Sequence, residues 1–150
     1  MSEVTMIAPV RKTLSVACSP ERAFEVFARE VSSWWPTLTH SIHKDKVTDV
    51  VLEPREGGEM YEVTESGERA HWARVTAWEP PKRLVLAWRV NPDTPAPTEV
   101  EVTFAPEGEG TRVVLEHRNW EQVGENGAQM RENYGGGWDI VLAAFVEKAV

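Results

Sequence analysis

The chain has 150 residues, a single cysteine and a formal net charge of −8 at pH 7, a length that suits one domain burying roughly 70% of its unfolded surface without cross-links. The acidic balance argues against nucleic acid, whose affinity rests on Lys and Arg neutralising phosphates, and Cys18 alone excludes an internal disulfide and fits a reducing compartment. No basic-then-apolar leader and no apolar run of membrane-spanning length is present, so the expectation is a soluble, cytoplasmic chain without membrane insertion.

Residues 10–18 alternate, with Val10, Leu14, Val16 and Cys18 on one face and Arg11, Thr13, Ser15 and Ala17 on the other; Lys12 breaks the apolar face. This predicts a half-buried strand. Ser19, Pro20 and Glu21 then supply an N-cap, a first-turn proline and a first-turn acid, which predicts a helix carrying Ala23, Phe24, Phe27, Ala28 and Val31 inward. It ends near Ser32 and Ser33, because Pro36 after Trp34-Trp35 cannot continue it. Residues 37–46 are polar, hold His40 and His43, and read as a loop.

Six strands follow, at 47–53, 59–64, 69–79, 83–90, 99–105 and 111–120, separated by Gly, Pro and Ser turn signals. In the last two, Val100, Val102 and Phe104, then Val113, Leu115 and His117, share inward faces. Trp88 shares the face of Leu84 and Leu86, whereas the interior face of the strand holding Trp72 stays open. Residues 121–133 are polar and read as a loop or a short helix.

The last seventeen residues, 134–150, organise the rest. Gly135, Gly136 and Gly137 lead into Trp138, after which apolar residues recur at Val141, Leu142, Phe145, Val146 and Ala149. That spacing predicts a helix laying one stripe on a core, and the glycines read either as the bend into it or as room for close approach. The predicted fold class is α+β: a curved antiparallel sheet of about seven strands around a long C-terminal helix, with two short helices after strand one. The wedge between helix and sheet is a natural cavity.

The order of these motifs resembles the helix-grip fold of the START-like, birch-pollen-allergen-like SRPBCC superfamily. It is most similar to the branch named after the activator of the heat-shock protein 90 ATPase. The residues that carry the resemblance are Ser19-Pro20-Glu21-Arg22-Ala23-Phe24, Trp34-Trp35, Trp78-Glu79-Pro80-Pro81-Lys82-Arg83-Leu84-Val85, Gly110-Thr111-Arg112-Val113, Leu115-Glu116-His117-Arg118 and Gly136-Gly137-Trp138. They span nearly the whole chain. The resemblance implies a ligand-binding habit shared by carriers, cyclases, resistance proteins and chaperone co-factors. No segment matches the extra N-terminal domain of eukaryotic chaperone activators, so a chaperone partner is not the first expectation.

Three readings of chemistry stand side by side. His117 is either a hydrogen-bonded core residue or, if it faces a cavity, a general acid or base. His40-x-x-His43 with Asp45 has one-turn spacing but no fourth ligand nearby, so surface histidines are expected and no metal. The aromatic set Trp34, Trp35, Trp72, Trp88, Tyr134 and Trp138, with Leu86, Phe104, His117 and Leu142, reads as core or as the box around a small apolar or aromatic ligand. In that box the imidazole, indole N–H groups and tyrosine hydroxyl would orient the ligand. Binding of such a molecule, with no cofactor, is the leading expectation. The alternatives are a protein–protein co-factor using the outer sheet face, and a cofactor-free cyclase or hydrolase using His117.

Overall fold

The computed structural model describes residues 7–91 and 93–149; Pro92 of the proline-rich loop and Val150 of the expected last helix lie outside them. Strand β1 (Val10–Val16) leads into helix α1 (Pro20–Ala28) and the one-turn helix α2 (Val31–Trp34). A 3₁₀ turn at Lys44–Lys46 precedes β2 (Val47–Leu52), β3 (Glu59–Thr64), β4 (Arg69–Glu79), β5 (Arg83–Trp88), β6 (Thr98–Glu107) and β7 (Gly110–Arg118). All seven strands form one antiparallel sheet in the order β1-β7-β6-β5-β4-β3-β2. The sheet curls around helix α3 (Gly127–Lys148).

Ser19 caps α1 as its sequence predicts: its hydroxyl accepts from the Arg22 N–H at 3.2 Å, and Pro20 occupies the first turn. Buried Phe24 and Phe27 project from α1 against Phe104 of β6, and Phe27 also meets Phe145 of α3, with ring centroids 5.3 Å apart. On β6 and β7 the burial alternates strictly: Val100, Val102 and Phe104, and Val113, Leu115 and His117, all face the core. This period-2 pattern fixes the register, since a slip of one residue would turn the whole set outward.

Two sequence expectations are corrected. The last helix begins at Gly127, not after the glycines, and runs for 22 residues, about 33 Å. Its first part hides from pattern reading because its inward positions are sparse and include a glycine. Gly127 sits so close to the Trp120 carbonyl that a Cβ would lie 2.3 Å from the oxygen, while Met130 and Tyr134 pack at the core's edge. The glycine triplet is therefore helix interior, held by packing on the sheet against its low propensity. Val146 is the second correction. It is 37% exposed, while Trp138, Val141, Leu142, Phe145 and Ala149 are buried.

Strand β4 explains why its inner face is not legible from alternation. Met60 pairs with Ala73 and Tyr61 with His71, so Trp72 is an extra residue in a β-bulge. The bulge turns Trp72 and Ala73 inward together, with 1% and 0% exposure.

Candidate functional site

Between α3 and the concave face of the sheet lies a cavity of about 260 Å³. Trp35, Trp72 and Trp88 line it from below, and Tyr134, Gly137, Trp138 and Val141 line it from α3. The segment that follows α2 supplies the mouth through His40, Ser41, Ile42 and Lys44. The tryptophans form one aromatic wall. Trp35 lies 5.0 Å from Trp72, 6.2 Å from Trp88 and 5.9 Å from Trp138, centroid to centroid, and Trp88 lies 5.7 Å from Trp138.

The indole N–H groups of this wall are bonded within the protein. Trp35 donates to the His40 carbonyl at 2.7 Å, Trp72 to Glu62 Oε1 at 2.7 Å, and Trp88 to the Tyr134 hydroxyl at 3.1 Å. Trp138 donates to His117 Nδ1 at 3.0 Å. These residues thus offer ring faces to the cavity while their polar atoms are satisfied in the protein. Burial raises the Tyr134 pKa, only partly offset by the Trp88 bond, so its hydroxyl stays a phenol that is free to donate.

His117 is fully buried. Because Nδ1 accepts from Trp138, the proton of the neutral ring sits on Nε2, which donates to Thr98 Oγ1 at 2.7 Å. The Thr98 hydroxyl then donates to the Trp88 carbonyl at 3.2 Å. The Trp120 indole packs against the imidazole, tilted by 39° with centroids 4.1 Å apart, and its N–H donates to the His117 carbonyl at 2.9 Å. Burial lowers the His117 pKa to about 3, and protonation would set an N–H against the Trp138 N–H. Both ring nitrogens are occupied by protein, so this geometry leaves none for proton exchange with a bound molecule.

Glu62 on β3 is not among the residues singled out from the sequence. It is 0% exposed. Its carboxylate accepts from the Ile42 N–H at 2.7 Å, the His43 N–H at 2.8 Å and the Trp72 indole, and it pairs with His43 Nδ1 at 3.0 Å. Burial alone would raise its pKa, but these bonds outweigh burial and hold it below the usual carboxylate range. Glu62 therefore pins the mouth segment to the sheet. Two backbone N–H partners give no side-chain signal in sequence, so only the tertiary fold reveals them.

Of the residues expected to form the aromatic box, Trp35, Trp72, Trp88, Tyr134 and Trp138 line the cavity. Trp34, Leu86, Phe104, His117 and Leu142 are buried in the core around it. Trp34 packs on Phe145 at 5.4 Å and donates to the Val26 carbonyl at 2.7 Å. The polar side chains that line the cavity are those of His40, Ser41, Lys44, Asn133 and Tyr134, the last of these as expected. The two loop histidines diverge. His43 binds Glu62 and reaches Glu68 at 3.4 Å, whereas His40 Nδ1 pairs with the Thr39 hydroxyl at 2.6 Å.

Residues 17–148 match the family model described as Activator of Hsp90 ATPase homolog 1-like protein. Comparison with curated proteins gives no match. Among solved structures, the anthrahydroquino-gamma-pyrone synthase Txn09 is 32% identical, with a TM-score of 0.65 over 97% of this chain and 98% of that one. The self-sacrificing resistance protein CalC from Micromonospora echinospora is 29% identical, with a TM-score of 0.72 over 95% and 94%. Aha1 from Colwellia psychrerythraea, solved as a dimer, shares the fold at 16% identity and a TM-score of 0.68, over 95% and 96%.

Proposed function

The chain belongs to the Activator of Hsp90 ATPase homolog 1-like family, and from that premise we propose that it binds a small, flat apolar or aromatic molecule between the sheet and α3. The observation that carries this reading is the cavity itself, about 260 Å³ and walled by indole faces whose N–H groups are already satisfied. A dry cavity of about 150 Å³ holds benzene, so this one suits two or three fused rings with part of the ligand at the mouth. The name of Txn09, a synthase of a fused-ring pyrone at 32% identity, supports a ligand of that shape. Binding is driven by burying ring surface against Trp35, Trp72, Trp88 and Trp138, at about 25 cal/mol per Å² of apolar area before the costs of association.

The test is a thermal-shift screen of flat aromatic and aliphatic compounds against wild type and Gly137→Leu. Gly137 lines the cavity from α3, so a leucine there fills the mouth, and on an α-helix it is also the better helix former. Aromatic compounds raise the wild-type melting temperature and leave the variant unmoved. Native mass spectrometry of the freshly purified protein checks whether such a molecule is carried along. A panel in which no aromatic compound distinguishes wild type from the variant refutes the reading.

A further inference from the structure

We propose that the cavity selects a planar aromatic anion, a carboxylate or phenolate on two or three rings, whose charged oxygen docks against Lys44 and His40 at the mouth. This rests on the reading of the cavity as a ligand site and narrows it to a chemical class.

The chain carries 24 acidic residues against 16 Lys and Arg, yet the cavity lining reverses that balance. Among the described residues, the ionisable side chains that line it are Lys44, His40 and the phenol Tyr134, with no Asp or Glu. The basic groups also lie on one side. Both come from residues 40–44, while the facing walls are indole, tyrosine and valine, with the uncharged Asn133 and the bare Gly137 on α3. A flat ligand with one polar end therefore has one orientation that keeps its rings on the wall and its polar end at the loop.

The loop is built to hold these groups. Lys44 sits at φ +50, a left-handed conformation that few non-glycine residues adopt. Its backbone N–H donates to Ser41 Oγ at 2.8 Å, and its ammonium donates to the Thr39 carbonyl at 2.8 Å. An ammonium has three donors, so two remain for a ligand. His40 is fixed through its backbone carbonyl, which takes the Trp35 indole N–H, and through Nδ1 on Thr39. Its other edge lies over Gly137, where a Cβ would stand 3.6 Å from Cδ2 and 3.7 Å from Nε2. A bare glycine thus leaves that edge beside the cavity.

The acids that back the loop are already engaged. Glu62 turns both oxygens to Ile42, His43 and Trp72, and Glu68 reaches the far nitrogen of His43. Since the wall indoles spend their N–H groups inside the protein, the donors beside the cavity are those of the loop and of Asn133 and Tyr134 on α3; the cationic one is the Lys44 ammonium in the loop, from which a charged oxygen gains most.

The test uses 2-naphthoate and 2-naphthamide, which share one shape and differ in charge at neutral pH. Each is titrated into ¹⁵N-labelled protein while the indole N–H signals of Trp35, Trp72, Trp88 and Trp138 are followed. Naphthoate is expected to bind at least roughly tenfold more tightly than naphthamide. Lys44→Met, and independently His40→Gln, should shrink that preference several-fold, because naphthoate affinity falls by more than naphthamide affinity. Gly137→Leu should abolish the shifts with both. Equal or tighter binding of the amide, blocked by Gly137→Leu, overturns the charge selectivity and leaves the cavity standing. A preference that survives both loop variants overturns the assignment to Lys44 and His40. Failure of both probes to move any of the four indole signals overturns this inference together with the cavity reading.

Discussion

Replacing His117 tests the buried network directly, because the residue makes stability depend on pH in a calculable way. Folded His117 is neutral, its pKa lowered from 6.5 to about 3 by burial. Well above pH 6.5 neither state binds a proton at this position. As pH falls below 6.5 the unfolded chain takes one up and the folded protein does not, so stability drops until pH approaches 3, where the folded state protonates too. Between pH 7 and pH 4.5 this amounts to a loss of about 2.5 kcal/mol. Glu62, also held low, loses stabilising power as pH falls through the carboxylate range, so the quantity to measure is a difference between variants that both keep Glu62.

At pH 7, His117→Leu leaves the Trp138 N–H without its acceptor and should cost about 1–3 kcal/mol. At pH 4.5 wild type has lost its extra 2.5 kcal/mol and the leucine variant has not, so the two stabilities should converge or cross. Urea denaturation at both pH values gives the two differences. His117→Asn, whose side-chain carbonyl accepts from Trp138 without titrating in this range, serves as a second variant if leucine prevents folding. A wild-type advantage that stays constant within about 0.5 kcal/mol from pH 7 to pH 4.5, in both variants, would show that folded His117 is not held neutral.

Phe145→Ala removes a fully buried ring packed between Phe27 and Trp34, and should cost about 3–5 kcal/mol in urea denaturation. Gly136→Ala should stabilise by about 0.5–1 kcal/mol, seen as a raised melting temperature, because a Cβ there meets nothing within 4 Å and the position is helix interior. Glu62→Gln puts an amide NH₂ among groups that already donate. It should cost about 1–3 kcal/mol and speed hydrogen exchange at the Ile42 and His43 amides, while unchanged exchange there would mean that Glu62 does not hold the loop.

Fold and site differ in how far the sequence discloses them. The architecture is written in short-range periodicities: the alternation at Val100–Phe104 and Val113–His117, the cap at Ser19-Pro20, and the stripe from Trp138 to Phe145. Each signal lies within a few residues of the structure it specifies, so local physics suffices to read it. Where local signals fail, a tertiary contact has overridden them. The glycine triplet punctuates the chain by propensity, but packing against β1, Trp120 and the mouth loop carries the helix through it. The bulge at Trp72 breaks the period on which face assignment depends.

The polar chemistry of the site is less legible because its partners are far apart along the chain. That His117 points inward follows from strand alternation, but its tautomer depends on Trp138, 21 residues later, and its other bond on Thr98, 19 residues earlier. Glu62 engages backbone groups 19 and 20 residues before it. In both cases the buried polar group is consumed in holding the walls, Glu62 the mouth loop and His117 the face of α3 at Trp138. The ionisable side chains left lining the cavity, besides Tyr134, come from the stretch around His40 and Lys44, which reads in sequence as a polar loop. A buried ionisable residue with full hydrogen bonding is committed to one geometry. A partly exposed one with spare donors beside an aromatic wall is what recognition of a polar-ended ring requires, and in this fold the division between the two runs along the rim of the cavity.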